Sequence, residues 1–264
     1  MKKLGFLGVI LVIIYIIVQV ILTPNDNEFK EGDVYESIVN RGVIKIGINP
    51  ESKPFAFKTA DGSIVGYDVD LARYITQYIL KSPDRVVFVP ITPSDRLIKA
   101  STGEVDIVIS TVTITPQRQE IVSFSIPYDT AGQAVLVKSN SNIKTISDLA
   151  DQSVGVIFGT TAEKNMKHLV PTANLLGFKS YNEAYAALKA NKINAITSDD
   201  TILSRYTAED KSVKLLPKRY SKEPYGIAFK KGACSNKLKD NLDFAIKDLQ
   251  RKNVLIRLHK KWIG

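Results

Sequence analysis

The sequence predicts an α/β protein of two similar lobes joined by a two-strand hinge. Three observations carry that expectation. From Ile38 onward, short β-branched apolar runs alternate with stretches of helical periodicity, and strands separated by helices form parallel sheets through right-handed crossovers. The same grammar then recurs from Ile143 to Leu216. "RLIKASTGEVDIVIST" (96–111) and "AALKANKINAITSDD" (186–200) each read as a short helix, a polar turn and an apolar strand ending in hydroxyl and acidic groups. Finally, "AGQAVLVK" from Ala131 and "YSKEPYGIAFKKG" from Tyr220 read as extended segments crossing between the two blocks. A chain that builds one lobe, crosses, builds the second and crosses back has a double hinge, and such hinges let lobes close around a ligand.

The elements follow in order. "MKKLGFLGVILVIIYIIVQVILTP" places Lys2 and Lys3 before an apolar run from Leu4 to Leu22 in which Gln19 is the one strongly polar side chain. At about 1.5 Å per residue that run suits a hydrocarbon core of about 30 Å. The leading lysines predict a cytoplasmic N-terminus, and no Ala-x-Ala cleavage pattern follows. Residues 1–23 are therefore expected to be an uncleaved transmembrane anchor that holds the rest at the outer face of the membrane. If the segment is cut as a signal, the protein is secreted or periplasmic. "TPNDNEFKEGD" opens a polar tether over 24–37. Residues 38–131 with 225–264 are expected to form the first lobe, and 132–224 the second.

Within the first lobe, "GVIKIGI" and "RVVFVPI" are short buried strands. "GYDVDLARYITQYIL" is a helix with Asp68 as its N-cap. "PSDRLIKASTGEVDIVIST" is a helix, a turn at Gly103 and a strand. In the second lobe, "QSVGVIFGTTAEKNMKHL" is strand, loop and helix, and "YNEAYAALKANKINAITSDD" is helix, turn and strand. The tail "NKLKDNLDFAIKDLQRKNVLIRLHKKWIG" carries apolar residues at helical spacing.

Composition narrows the function. The 264 residues carry a net charge of +9, but the lysines are scattered and not interleaved with aromatics. That argues against a nucleic-acid partner and for a solvated cationic surface beside an anionic membrane. Cys234 is the one cysteine, and His168 and His259 are far apart. Internal disulfides, paired-cysteine zinc sites and histidine-based catalysis are not expected. No cofactor or metal is expected, and the protein is expected to be a monomer.

In open parallel sheets, ligands bind beyond the carboxyl ends of the strands. The strand "VDIVIS" ends at Ser110 and Thr111, followed by Thr113 and Arg118. Hydroxyls donate or accept, and a guanidinium fork pairs with a carboxylate through two hydrogen bonds. In the second block, Gly159, Thr160 and Thr161 lie between strand and helix, where free N–H groups and the helix dipole attract an anion. The Gly-Lys-Ser/Thr ending of a phosphate loop is absent. The strand "INAIT" leads into Ser198, Asp199 and Asp200, carboxylates able to accept from an ammonium. Each group has a structural alternative: β-forming hydroxyls, a surface arginine, helix caps. Together they describe recognition of an α-amino acid.

"GINPESKPFAF…GSIVGYDVDLA", "GEVDIVISTVTITPQRQEIVSFSIPY", "SVGVIFGTTAE", "INAITSDD" and the closing "KKWIG" resemble the extracellular solute-binding proteins, family 3, the polar-amino-acid receptors of ABC importers. The resemblance runs from about Arg41 to Gly264. It implies the two-lobed periplasmic-binding-protein fold of type II, an amino-acid ligand, and an ABC permease with its ATPase as partners. By position, Arg118 would hold the α-carboxylate with Thr113 and the amide of Thr161, while Ser110, Thr111 and Asp199 would hold the ammonium. Two departures bear on the ligand. Where the family often offers an aromatic lid, this chain has Ser52 and then Lys53, with Phe55 and Phe57 nearby. Arg96 stands where relatives resembling acidic-amino-acid receptors carry an arginine. Arg96 and Lys53 would neutralise a side-chain carboxylate, so glutamate or aspartate is the expected ligand, bound without turnover. The alternatives are an enzyme on the same scaffold, a lyase like cyclohexadienyl dehydratase with Glu163 as acid, and a ligand-sensing ectodomain.

Overall fold

The structure, a computed structural model, describes residues 32–264. The anchor expected over 1–23 and most of the tether lie outside the described residues. Among the described residues no helix is long and apolar enough to cross a membrane. Helix α1, Val34–Arg41, begins inside the segment expected as tether. The cause is local: the Asp33 carboxylate accepts from the Glu36 N–H, and Gly42, with φ 72°, closes the helix.

Two five-stranded sheets dominate, beside a small antiparallel sheet of β2 (Glu51–Ser52), β3 (Ala56–Lys58) and β4 (Ile64–Val65). The first takes β1 (Ile44–Ile48), β5 (Val86–Pro90), β6 (Ile107–Val108), β7 (Val122–Phe124) and β15 (Ala228–Lys230), in the order β5-β1-β6-β15-β7. The second takes β9 (Gln133–Lys138), β10 (Ser153–Ile157), β11 (Asn174–Phe178), β12 (Ala195–Asp199) and β13 (Val213–Leu215), in the order β11-β10-β12-β9-β13. Each sheet has the same plan. A first strand is flanked on both sides by parallel partners. An antiparallel strand from the other side of the crossing then pairs with the third. The two similar halves read from the sequence are therefore two lobes of a periplasmic-binding-protein fold.

The lobes are linked by β8 (Asp129–Ala131) and β14 (Glu223–Tyr225), paired antiparallel with Tyr225 opposite Asp129. The crossings are shorter than the sequence suggests. Most of "AGQAVLVK" is β9, buried in the second sheet, because its residues 134–137 are uninterrupted apolar side chains.

Helices cover both sheets. In the first lobe these are α2 (Tyr67–Leu80), α3 (Arg96–Thr102), α4 (Pro116–Ile121), α8 (Asn236–Arg251) and α9 (Val254–Trp262). In the second they are α5 (Ala162–Leu169), α6 (Tyr181–Lys189) and α7 (Asp200–Glu209). Leu71, Ile75 and Ile79 of α2 pack with Ile44 and Ile46 of β1 and with Leu238, Leu242 and Leu249 of α8, all buried. Each such side chain contributes about 1.5–3 kcal/mol by leaving water. Helix α2 corrects one expectation. Its N-cap is Gly66, not Asp68. A Cβ on Gly66 would stand 2.2 Å from the Phe55 carbonyl, so the chain can pass there with glycine alone. Asp68 falls in the first turn, points inward and is 1% exposed.

Candidate functional site

The carboxyl end of β6 and the loop after it carry Ser110, Thr111 and Thr113, all buried. Arg118 follows on α4, whose start is set by the Thr115 hydroxyl accepting the Arg118 N–H at 3.2 Å and by Pro116. Arg118 is 8% exposed. Its guanidinium donates to the Thr113 carbonyl at 2.8 Å and reaches across to the Gly159 carbonyl of the second lobe at 3.0 Å. Arg96, at the start of α3, is 3% exposed. It donates to the Ser110 carbonyl at 2.5 Å, to the Thr111 carbonyl at 3.3 Å and to the Gly159 carbonyl at 3.4 Å. Arg96 is thus a buried residue bonded to main-chain carbonyls, not a solvated one.

Two buried guanidiniums side by side are electrostatically costly. Burial first, and the neighbouring Arg96 second, lower the Arg118 pKa to about 9. Burial lowers that of Arg96 as well. Asp199 opposes both from the end of β12 and favours their charged forms. It occupies the N-cap position of α7 but makes no capping bond. Its carboxylate instead accepts the Tyr225 hydroxyl. Burial raises the Asp199 pKa to about 6, the Tyr225 bond opposing the rise. Asp200 is engaged elsewhere: it accepts the Gly132 N–H at 3.0 Å and pairs with Arg219. Of the two aspartates, Asp199 alone faces the arginines.

The loop after β10 supplies the opposite wall. Gly159 has φ 77°, and a Cβ there would stand 2.3 Å from the Pro93 carbonyl of the first lobe. In the sequence Gly159 stands out only as part of the strand-to-helix turn with Thr160 and Thr161; in the structure it packs directly against the Pro93–Ser94 backbone of the first lobe. The Thr160 hydroxyl turns back to the Ile157 carbonyl at 2.8 Å. The Thr161 hydroxyl donates to Glu223 at 3.0 Å, and Asn165 and Ser221 donate to the same carboxylate. Glu223, 3% exposed on hinge strand β14, was not picked out as a site residue. A single acid in a "KEPYG" stretch carries no spacing signal.

The remaining expected residues diverge. Ser52 is buried in a tight turn, its N–H donating to Asn49 and its carbonyl accepting from Phe55. Lys53 is not in the cluster. Its ammonium lies 2.6 Å from Glu209 of α7 and 5.3 Å above the Phe57 ring, bridging the lobes near the surface. Phe55 is fully buried against Tyr67 and Tyr225, with centroids 5.6 and 5.7 Å away. Phe57 packs edge-on against Trp262. Neither ring takes the place of the missing lid. A cavity of about 310 Å³ opens between the lobes, lined by Asn49, Glu51, Thr92, Asp95, Lys179 and Tyr181 among others.

Two buried atoms of the cluster have no hydrogen-bond partner, the Ser110 hydroxyl and Arg96 Nε. Buried polar atoms are normally paired, and Arg96 Nε belongs to the guanidinium that meets the Gly159 carbonyl and that Asp199 favours in its charged form. Lobe-one cations facing a lobe-two carboxylate across a two-strand hinge define a ligand-binding protein of the periplasmic-binding class.

The chain belongs to the bacterial extracellular solute-binding proteins, family 3, which match residues 44–264. It is 34% identical over 233 residues to the ABC transporter glutamine-binding protein GlnH of Bacillus subtilis (strain 168), covering 88% of this chain and 85% of that protein. It is 26% identical over 239 residues to the L-cystine-binding protein TcyJ of Escherichia coli (strain K12), covering 89% and 88%. Among solved structures it resembles the ancestral amino acid-binding protein AncCDT-1, a precursor of cyclohexadienyl dehydratase, at 32% identity and a TM-score of 0.80 over 87% of this chain and 99% of that one. It also resembles a cysteine-binding protein from Campylobacter jejuni, at 28% identity and a TM-score of 0.84 over 88% and 93%.

Proposed function

We propose that this protein captures a polar α-amino acid by lobe closure and presents it to an ABC permease, with glutamine the best ligand. The observation that carries the reading is that Arg118 reaches the Gly159 carbonyl of the second lobe while the Asp199 carboxylate, at the end of β12, favours its charged form. A carboxylate on Arg118 and an ammonium on Asp199 satisfy both ends of a zwitterion. Hydrogen bonds to charged groups contribute about 1.5–3 kcal/mol each, and a micromolar Kd corresponds to about −8 kcal/mol.

The acidic side chain expected from Arg96 and Lys53 loses half its support. Lys53 is paired with Glu209, and Arg96 spends its terminal nitrogens on main-chain carbonyls. Such a site suits an uncharged amide, and a glutamine-binding relative from Geobacillus stearothermophilus at 34% identity points the same way. Glutamate or aspartate is the second reading, favoured by the unpartnered Arg96 Nε. A catalytic reading has little to stand on: Glu163 is paired with Lys167 on a solvated helix face. Residues 1–23 would tether the receptor to the membrane, and an intact-mass measurement of membrane-extracted protein would detect their removal.

Calorimetry of residues 32–264 against the twenty amino acids tests the proposal. Glutamine is expected to bind tightest, and no heat from any amino acid overturns it. Arg118→Met is expected to weaken binding at least 100-fold, since it removes the cation proposed to hold the ligand carboxylate. Its melting temperature should shift by only a few degrees, because a buried cation beside another cation is replaced by an apolar chain.

A further inference from the structure

Thr111 is the one residue of the cleft loop with a left-handed backbone, φ 46°. A β-branched residue rarely adopts that conformation, so something must hold it there. Its N–H donates to the Tyr128 hydroxyl at 3.2 Å. Tyr128 in turn donates to Asp68 Oδ1 at 3.1 Å. A phenol has one proton, so a hydroxyl that accepts from Thr111 and donates to Asp68 gives the chain one direction. Asp68 lies in the first turn of α2, where the helix dipole favours an acceptor charge. Its other oxygen, Oδ2, has no partner. The Tyr128 ring is fixed in place by stacking on Tyr67, centroids 6.2 Å apart, and by Tyr225 at the same distance on its other contact. All three groups are 5% exposed or less.

We propose that Asp68 and Tyr128 are positioning residues for the ligand cleft: they hold Thr111 in its left-handed turn and so aim the Ser110 and Thr111 carbonyls at Arg96. Those two carbonyls take one nitrogen of the Arg96 guanidinium and leave Nε without a partner. Without the relay, Thr111 relaxes toward negative φ, its carbonyl swings away, and Arg96 loses the orientation that places it opposite Asp199. Neither Asp68 nor Tyr128 needs to touch the ligand. The inference rests on the reading of this cleft as the amino-acid site.

The test is a double-mutant cycle read by two measurements, glutamine affinity and ligand-free melting temperature. Tyr128→Phe keeps the ring and removes both hydrogen bonds. In the parent it is expected to weaken glutamine binding roughly tenfold, within the coupling range of contacting residues. In a Thr111→Gly background, where left-handed φ carries no penalty, the same change is expected to weaken binding less than about threefold. Melting temperature should show the same non-additivity. Asp68→Asn keeps an acceptor for Tyr128 and should retain far more affinity than Asp68→Ala. Equal losses for Tyr128→Phe in both backgrounds, by both measurements, overturn the proposal. So does equal loss in Asp68→Asn and Asp68→Ala. Coupling in melting temperature with no amino acid bound by any variant instead sinks the functional reading and leaves the relay standing.

Discussion

Asp199 shows how one residue's surroundings set the working range of the site. Burial raises its pKa to about 6, against the opposing Tyr225 hydrogen bond. Its ionised form is the one that accepts an ammonium. A free amino acid stays zwitterionic across the same range, its two termini titrating well outside it. Affinity should therefore be full at pH 7.5 and fall as pH drops through about 6, approaching tenfold lower for each unit below that value. Calorimetry in matched buffers from pH 5 to 8 checks this, and Asp199→Asn should bind weakly at every pH with the slope gone. Arg118 and Asp199 were legible in the sequence because a strand end, a hydroxyl cluster and a charge recur in both halves. Asp68 and Tyr128 were not. Asp68 reads as a helix cap on spacing alone, and its true partner lies 60 residues along the chain. Glu223 was hidden for the same reason: its donors Thr161 and Asn165 lie 62 and 58 residues away along the chain, and the nearby Ser221 alone gives no signal.

At the scale of elements, closure depends on two loops meeting without a side chain between them. The turn after β10 places Gly159 against Pro93, just ahead of α3, and its carbonyl accepts from both cleft arginines. Gly159→Ala puts a Cβ 2.3 Å from the Pro93 carbonyl and forces alanine into left-handed φ, at a cost of about 1 kcal/mol or more. The clash exists only when the lobes are together. Glutamine affinity is expected to fall at least tenfold while the ligand-free melting temperature drops by only a few degrees. Small-angle scattering with saturating ligand should report a larger radius of gyration than the liganded parent. The Lys53–Glu209 bridge acts on the same motion but weakly, since exposed pairs contribute about 0.2–1 kcal/mol. The strand–helix alternation that forms these elements was plain from periodicity. Element ends were less so, because "AGQAVLVK" looks like a crossing until its apolar run is seen filling a sheet.

For the whole molecule, the carboxylates that build the cleft and hinge oppose stability at neutral pH. Burial raises Asp68 to about 7 and Asp199 to about 6, and raises Asp129 as well. Each is pushed above its unfolded value near 4, so the folded protein holds more protons than the unfolded chain between about pH 4 and 7. Stability from these groups is then fully present at about pH 4 and is lost as pH rises through their folded values. Asp210 and Asp248 work the other way. Hydrogen bonds from Lys189 and Arg251, respectively, hold them below the usual range, and their contribution fades only as pH falls below about 4. The ligand-free melting temperature should therefore be highest near pH 4 and decline by several degrees toward pH 8. Ligand works against that decline. Binding requires Asp199 ionised, and a ligand that binds only the folded state stabilises by RT ln(1 + [L]/Kd). The rise in melting temperature caused by millimolar glutamine should thus be larger at pH 8 than at pH 5, although the unliganded protein is less stable there. Melting curves with and without glutamine across pH 5–8 decide it. Parallel curves with a constant gap would mean that the carboxylate facing the arginines does not take the ammonium. A two-lobed receptor whose hinge-side charges are poorly solvated when ionised gains most from closing on a zwitterion at the pH where those charges are present.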